Sequence, residues 1–174
     1  MIETNRLNIR RFKNTDYMEL HEYLSNPEIY VFEPGQPISL SESEKLTIER
    51  AGGTDFYAVV LKENRKMIGH LYFKQIDPQM MTWELGYIFN PSYHRKGYAS
   101  EAARALVEYA FQYYKVHRIM ARCDPENPAS WKLLEKIGFR REGHFKQCVT
   151  FRNDESRNPI WHDAYEYGLL KEDL

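Results

Sequence analysis

The chain has 174 residues, 43% hydrophobic and 28% charged, enough apolar material for one sizeable core and too much for a disordered segment. Its 24 Lys and Arg against 25 Asp and Glu give a net charge of -1, which excludes binding of nucleic acid through bulk positive charge. No apolar run approaches the ~20 residues that span a bilayer, and Met1 to Asn5 carry neither a basic nor an apolar leader pattern, so the expected setting is the cytoplasm.

In chain order, Leu7 to Phe12 alternates apolar and polar residues, the period of a strand. Asn14, Thr15 and Asp16 offer N-cap chemistry for a helix to about Leu24, with Tyr17, Leu20 and Leu24 at helical spacing. Pro27, Pro34, Gly35 and Pro37 predict an irregular loop, after which Ser39 or Ser41 caps a second helix to about Arg50. Strands are expected over Asp55 to Lys62, Lys66 to Ile76 and Met81 to Asn90, joined by hairpin-scale turns. In the last of these, Met81, Trp83, Leu85, Tyr87 and Phe89 share the core face, and Thr82, Glu84, Gly86, Ile88 and Asn90 share the other.

From Gly97 to Tyr114, Ala99, Ala102, Leu106, Tyr109, Ala110 and Tyr113 mark an amphipathic helix whose polar side pairs Arg104 with Glu108. A strand over His117 to Cys123 comes next, then a helix from about Pro128 to Ile137 closed by Gly138. Strands at about Phe145 to Phe151 and Ile160 to Leu169 complete the order β-α-α-β-β-β-α-β-α-β-β. The fold class is α/β (α+β), one domain over residues 1–174 with a mixed, mostly antiparallel sheet of about seven strands flanked by about four helices.

Cys123 and Cys148 read as inert thiols rather than a disulfide. The six histidines are scattered, with no HExxH and no Cys/His cluster at zinc spacing, so no metal site is expected. His70 and His117 read as packed strand residues. His162 and Asp163 are adjacent on a strand and so face opposite ways, which assigns them a structural role.

The stretch Glu84 to Ala102 runs a strand into a short basic turn and then into a helix opened by Gly97 and small residues. Such a helix start offers free N–H groups and the positive end of the dipole to a phosphate. Gly97 lets the chain bend and an anion approach the backbone, and Arg95 and Lys96 add charge-assisted contacts. Neither GxxxxGK[ST] nor GxGxxG fits. The segment His94-Arg95-Lys96-Gly97-Tyr98-Ala99 instead resembles motif A, Q/R-x-x-G-x-G/A, of the GCN5-related N-acetyltransferases (GNAT). Asn127 to Phe139 is similar to the N-P-x-S-x-x-x-x-E-K-x-G-F signature of the RimJ/RimL-type branch of that superfamily. Thr4 to Arg10 is similar to its opening T-x-R-L-x-L-R, and Asp163 with Tyr167 to its closing D-x-x-x-Y.

The resemblance covers nearly the whole chain. It implies the GNAT fold and an acetyl-CoA-dependent N-acetyltransferase that moves an acetyl group to a primary amine, on a protein N-terminus or a small cationic molecule, by direct attack in a ternary complex. The alternative is a non-catalytic acyl-CoA binding or sensing module on the same fold. The implied partners are acetyl-CoA and an amine acceptor, without nucleic acid or membrane, for a monomer or homodimer.

The resemblance also places acetyl-CoA in a V between the strand before motif A and the strand after it. Its amide arm would lie along Tyr87, Ile88 and Phe89, and its pyrophosphate on His94, Arg95, Lys96, Gly97, Tyr98, Ala99 and Ser100. Asn127 would bond the arm, Ser130 would lie near the sulfur, and Lys136 completes the set. Glu84, on the strand face of Gly86 and aimed at the expected cleft, is the candidate base through a water. Ser130 is the candidate acid for the leaving thiolate, because Leu134 stands where many relatives carry a tyrosine. His94 and Arg95 depart from the usual Gln or Arg and from the frequent Gly.

In this family the two N-terminal helices form the acceptor side. Residues 13–55 hold nine acids against three bases, whereas residues 94–122 hold six bases against two acids; the acidic side is expected to attract a cationic acceptor, the alternative being that its acids only solubilise exposed helices. Of the rings, Trp83, Tyr87, Phe89, Tyr109 and Tyr113 are assigned to the core, and Tyr30, Phe32 and Trp131 to the cleft.

Overall fold

The computed structural model describes residues 1–174. Its strands are β1 (Ile2–Glu3), β2 (Leu7–Arg11), β3 (Phe56–Leu61), β4 (Met67–Asp77), β5 (Thr82–Phe89), β6 (Arg118–Cys123), β7 (Arg140–Asn153) and β8 (Pro159–Leu170). Its helices are α1 (Tyr17–Leu24), α2 (Leu40–Gly52), α3 (Tyr98–Tyr113) and α4 (Pro128–Lys136). The short β1 is the addition to the expected seven strands. β7 begins at Arg140, well before the expected Phe145, because pairing with β8 already starts at Arg140↔Gly168.

All eight strands form one sheet in the order β1-β2-β3-β4-β5-β6-β8-β7. Neighbours are antiparallel except β5 and β6, which α3 connects as a crossover and which therefore run parallel. Their pairing runs from Thr82↔Arg118 to Glu84↔Met120 and stops there. Beyond that point β5 stays with β4 as far as Gly69↔Phe89, while β6 stays with β8 as far as Cys123↔Tyr165. The two strands part into a V, and the β5 edge after Glu84 is left without a strand partner.

Apolar layers cover both faces of the sheet. The larger packs Leu7, Ile9, Phe73 and Leu85 against Ala102, Leu106 and Ala110 of α3 and Leu134 of α4. The smaller packs Phe12, Met67 and Ala58 against Leu20, Tyr23 and Leu24 of α1. β3 serves both by alternation, with Tyr57, Val59 and Leu61 in one and Ala58 and Val60 in the other. The second face of β5 is therefore not a solvent face: Ile88 packs on the smaller layer. Asn90 is buried, and its side-chain amide donates to Glu22 at 2.9 Å.

Local chemistry explains several departures from the expected elements. Asn14–Asp16 forms a 3-10 turn, with the Asp16 carboxylate held by Arg10 at 2.7 and 2.8 Å. Ser39, not Ser41, caps α2 in a reciprocal box with Glu42. Arg104 does not pair with Glu108; it donates to the Lys136 carbonyl at 2.8 Å and ties α3 to the end of α4. Tyr113 is 62% exposed rather than in the core. His117 is exposed ahead of β6, whereas His70 is buried with Tyr23 Oη 2.6 Å from its Nδ1. No helix is long and apolar enough to cross a membrane.

Candidate active site

A cavity of about 590 Å³ is lined by the free β5 edge, the turn that follows it and the first turn of α3. One face of α4 and the loop between α1 and α2 complete its walls. A smaller concavity of about 290 Å³ lies among Phe73, Trp83 and Tyr114. None of the residues expected to catalyse or to bind the cofactor is in its lining, whereas nearly all of the latter line the larger cavity, which is therefore the candidate site.

The anion-binding wall follows from backbone geometry. Arg95 (φ 59°) and Gly97 (φ 80°) both take the left-handed conformation, which turns the chain sharply from β5 into α3. Gly97 is the N-cap and has no side chain to cap with, so the amides of Tyr98, Ala99 and Ser100 have no partner in the chain. Gly97, Tyr98, Ala99 and Ser100 all line the cavity, and free amides on a helix N-terminus suit a phosphate. Arg6 braces the turn from outside, donating to the Lys96 carbonyl at 3.0 Å and pairing with Glu101 at 2.6 Å. Its motif position gave no such role.

Every residue expected to bind the cofactor lines this cavity except Lys96. Lys96 folds back onto its own turn, its Nζ 3.2 Å from the Ser92 carbonyl and over the Tyr93 ring. Lys132 lines the cavity instead, a residue to which the sequence assigned no role. The signal was available: Ala129, Lys132, Leu133 and Lys136 are spaced to share one helical face. His94 also lines the site, with its Nε2 2.9 Å from the Phe89 carbonyl.

The cavity wall also carries a hydroxyl pair. Tyr87 Oη lies 2.9 Å from Ser130 Oγ and 3.1 Å from the Ser130 carbonyl. Burial pushes the Tyr87 phenol far above its ordinary range, so it stays protonated at any ordinary pH. Asn127 caps α4 by accepting the Ser130 N–H at 3.2 Å, which leaves its side-chain NH₂ for a ligand. Burial likewise pushes the Cys123 thiol up to about 11, a protonated and unreactive group.

The α1–α2 loop contributes Glu28, Ile29, Phe32 and Glu33. It is anchored by Asn26, which accepts the Glu28 N–H at 3.0 Å, and by Tyr30, whose hydroxyl donates to the Leu24 carbonyl at 2.8 Å. Tyr30 is thus a brace rather than a lining ring, and Trp131 donates to the Pro125 carbonyl instead of lining the site. Glu33 had no signal in the sequence beyond its place in an acidic segment. It is enclosed by protein yet partly open to solvent through the cavity, and burial alone pushes its carboxyl up to about 7.

Glu84 stands outside the lining of this cavity. It sits at the last position where β5 is paired on both sides, between Lys74 of β4 and Met120 of β6. The sheet is still closed there, so the alternation that put Glu84 on the face of Gly86 did not put it over an opening. His162 and Asp163 do point to different partners: His162 Nδ1 is 3.0 Å from Asp124, and Asp163 accepts from His144 and Lys146, each at 2.8 Å. Neither residue lines the cavity.

Comparison with known proteins matches this geometry to a family. A family model described as the acetyltransferase (GNAT) domain matches residues 6–140. The N-acetyltransferase YnaD of Bacillus subtilis is 38% identical over 174 residues, covering 99% of this chain and 98% of its own. Among solved structures, a GNAT-family acetyltransferase from Bacillus anthracis superposes with a TM-score of 0.89 at 37% identity, covering 98% of each chain. A spermidine N-acetyltransferase from Vibrio cholerae, solved with CoA and spermine, shares the fold with a TM-score of 0.81 at 22% identity, over 98% of each chain. With the family match spanning most of its length, this chain belongs to the GNAT family of N-acetyltransferases.

Proposed function

We propose that the protein transfers the acetyl group of acetyl-CoA to a primary amine, of a protein N-terminus or a small cationic molecule, by direct attack in a ternary complex in the cytoplasm. One observation carries this reading. A single cavity joins three free helix-start amides and the cations Arg95, Lys132 and Lys136 to the carboxylates Glu28 and Glu33, with the Tyr87–Ser130 hydroxyl pair also in its wall.

The residues present fit acetyl-CoA as the donor substrate. The amides and cations suit its phosphates. The unpaired β5 edge at Tyr87 to Phe89 offers backbone partners to the amides of its arm. Asn127 has an unused NH₂. Ser130 and Tyr87 are the chain's own proton donors for a leaving thiolate. The carboxylates give the cavity an electrostatic preference for a cationic acceptor. The catalytic reading is favoured over a non-catalytic acyl-CoA binder by the N-acetyltransferase relatives and by the acidic wall, for which a simple CoA binder has no use.

Two measurements test the reading. Acetyl-CoA should raise Tm, by about 2.7 kcal/mol of added stability at a hundredfold excess over Kd; no shift at millimolar acetyl-CoA sinks the donor assignment. Free CoA release over a panel of amines should be greatest with cationic acceptors, and their kcat/KM should fall as salt rises. Preference for neutral amines, or salt-independent rates, would refute the acceptor class.

A further inference from the structure

We propose that Glu33, on the loop between α1 and α2, is the group that takes the proton from the acceptor's ammonium, the role that the sequence assigned to Glu84. This rests on the acetyltransferase reading above and adds a residue and a direction of approach to it.

Three observations place the role there. Glu33 lines the cavity that also contains the Tyr87–Ser130 pair, and Glu84 does not. Glu33 accepts no hydrogen bond and joins no ion pair within the chain, so burial stands as the sole influence on its carboxyl. A carboxylate enclosed without a partner is unfavourable unless something else supplies the positive charge, and an incoming ammonium supplies it. Lastly, the Glu33 charge is close enough to Tyr87 to push that phenol further up. The carboxylate and the hydroxyl pair assigned to the thiolate side thus share one cavity wall.

The other charged groups around Glu33 leave it free for this task. On its own loop, Glu28 is a second negative charge. From the turn before α3 come His94 and Arg95, and from α4 come Lys132 and Lys136, none of which pairs with Glu33. The phenols of Tyr87, Tyr93 and Tyr98 complete the titratable groups of the cavity wall. A carboxyl poised near 7 is matched to accepting a proton at neutral pH.

The protons balance as follows. The ammonium gives one proton to the Glu33 carboxylate, which later releases it to solvent through the cavity mouth. The freed nitrogen lone pair attacks the thioester carbonyl carbon, forming the C–N bond. The C–S bond breaks with its electron pair going to sulfur. Ser130 gives sulfur a proton and is restored by the second proton lost from nitrogen.

The experiment compares Glu33→Gln, Glu33→Asp and Glu84→Gln with the wild type. In the wild type and in Glu84→Gln, kcat/KM should show an acid limb with its midpoint near 7. Glu33→Gln should lose that limb and drop at pH 7 by roughly 10²–10⁴-fold, and Glu33→Asp should keep a weakened limb. The Tm shift with acetyl-CoA should be the same in all four proteins. A readout independent of turnover is the ligand-free Tm. Glu33→Gln should be more stable than the wild type at pH 8, and its advantage should shrink as pH falls through 7 and vanish only below about 4.5, the unfolded value, because enclosure penalises only the ionised side chain. An acid limb that survives in Glu33→Gln, or disappears in Glu84→Gln, overturns the assignment while leaving the acetyltransferase reading intact. Failure of acetyl-CoA to shift the wild-type Tm overturns both.

Discussion

Tyr87 Oη and Ser130 Oγ meet at 2.9 Å across the divergence of β5 and β6, joining the free strand edge to the first turn of α4. The contact ties the two walls of the cavity together at this point. Neither partner is exposed enough to exchange it freely for water, so a coupling of about 0.5–1.5 kcal/mol is expected. Urea unfolding of Tyr87→Phe, Ser130→Ala and the double variant measures it. Strict additivity of the two single losses would show that the hydroxyls act separately. With the pair in its proposed role as proton donor to the leaving thiolate, each single variant should lower kcat while leaving the KM for acetyl-CoA little changed.

Gly69 sits opposite Phe89, and a Cβ there would stand 2.6 Å from the Ile88 carbonyl oxygen. That oxygen is backbone and points toward β4, on the strand whose opposite edge lines the cavity, so it moves only if β5 moves. Gly69→Ala should therefore cost about 1–3 kcal/mol of stability and raise the KM for acetyl-CoA in the same protein. A stability loss with an unchanged KM would mean that the strain relaxes away from the site.

How much of this was visible in the sequence depends on the range of the interaction. Strand alternation, caps and the glycine before α3 are local, and they gave the element order and most of the cofactor wall. Lys96 falls outside the lining because a left-handed Arg95 turns the next side chain back toward Ser92, a backbone detail that residue types do not encode. Glu84 falls outside the cavity lining because alternation fixes a face but not where the neighbouring strand departs, and β6 stays paired as far as Glu84. Glu33 was invisible because its enclosure comes from elements far along the chain, packed over a proline-rich loop without periodicity.

His70 is buried, and its imidazole is held well below the ordinary histidine range, first by burial and then by the nearby Arg50 charge. The folded state therefore keeps it neutral while the unfolded chain protonates it near 6.5. Its contribution to stability is present above about pH 6.5 and lost as pH falls, at up to ~1.4 kcal/mol per pH unit. The double variant Tyr23→Phe/His70→Leu removes the titrating ring together with its hydrogen-bond partner. The difference in unfolding free energy between variant and wild type should widen in the variant's favour from pH 7 to pH 5. A difference independent of pH would show that the ring protonates inside the fold.

Lys132 and Lys136 stand one turn apart on the α4 face that borders the cavity. Each is a flexible point charge, so replacing one with alanine removes Coulombic attraction without disturbing the helix, whose propensity alanine favours. Near a partly exposed phosphate, one such charge contributes about 0.5–1 kcal/mol at low salt, a rise of roughly two- to fivefold in the KM for acetyl-CoA. The rise should shrink as salt is added, because screening already weakens the wild-type contact. Lys96→Ala is the internal control: its side chain is bound to the Ser92 carbonyl and outside the wall, so its KM should change less than in either α4 variant. Equal effects from all three lysines would mean that the field of the whole basic segment, rather than the α4 face, captures the cofactor.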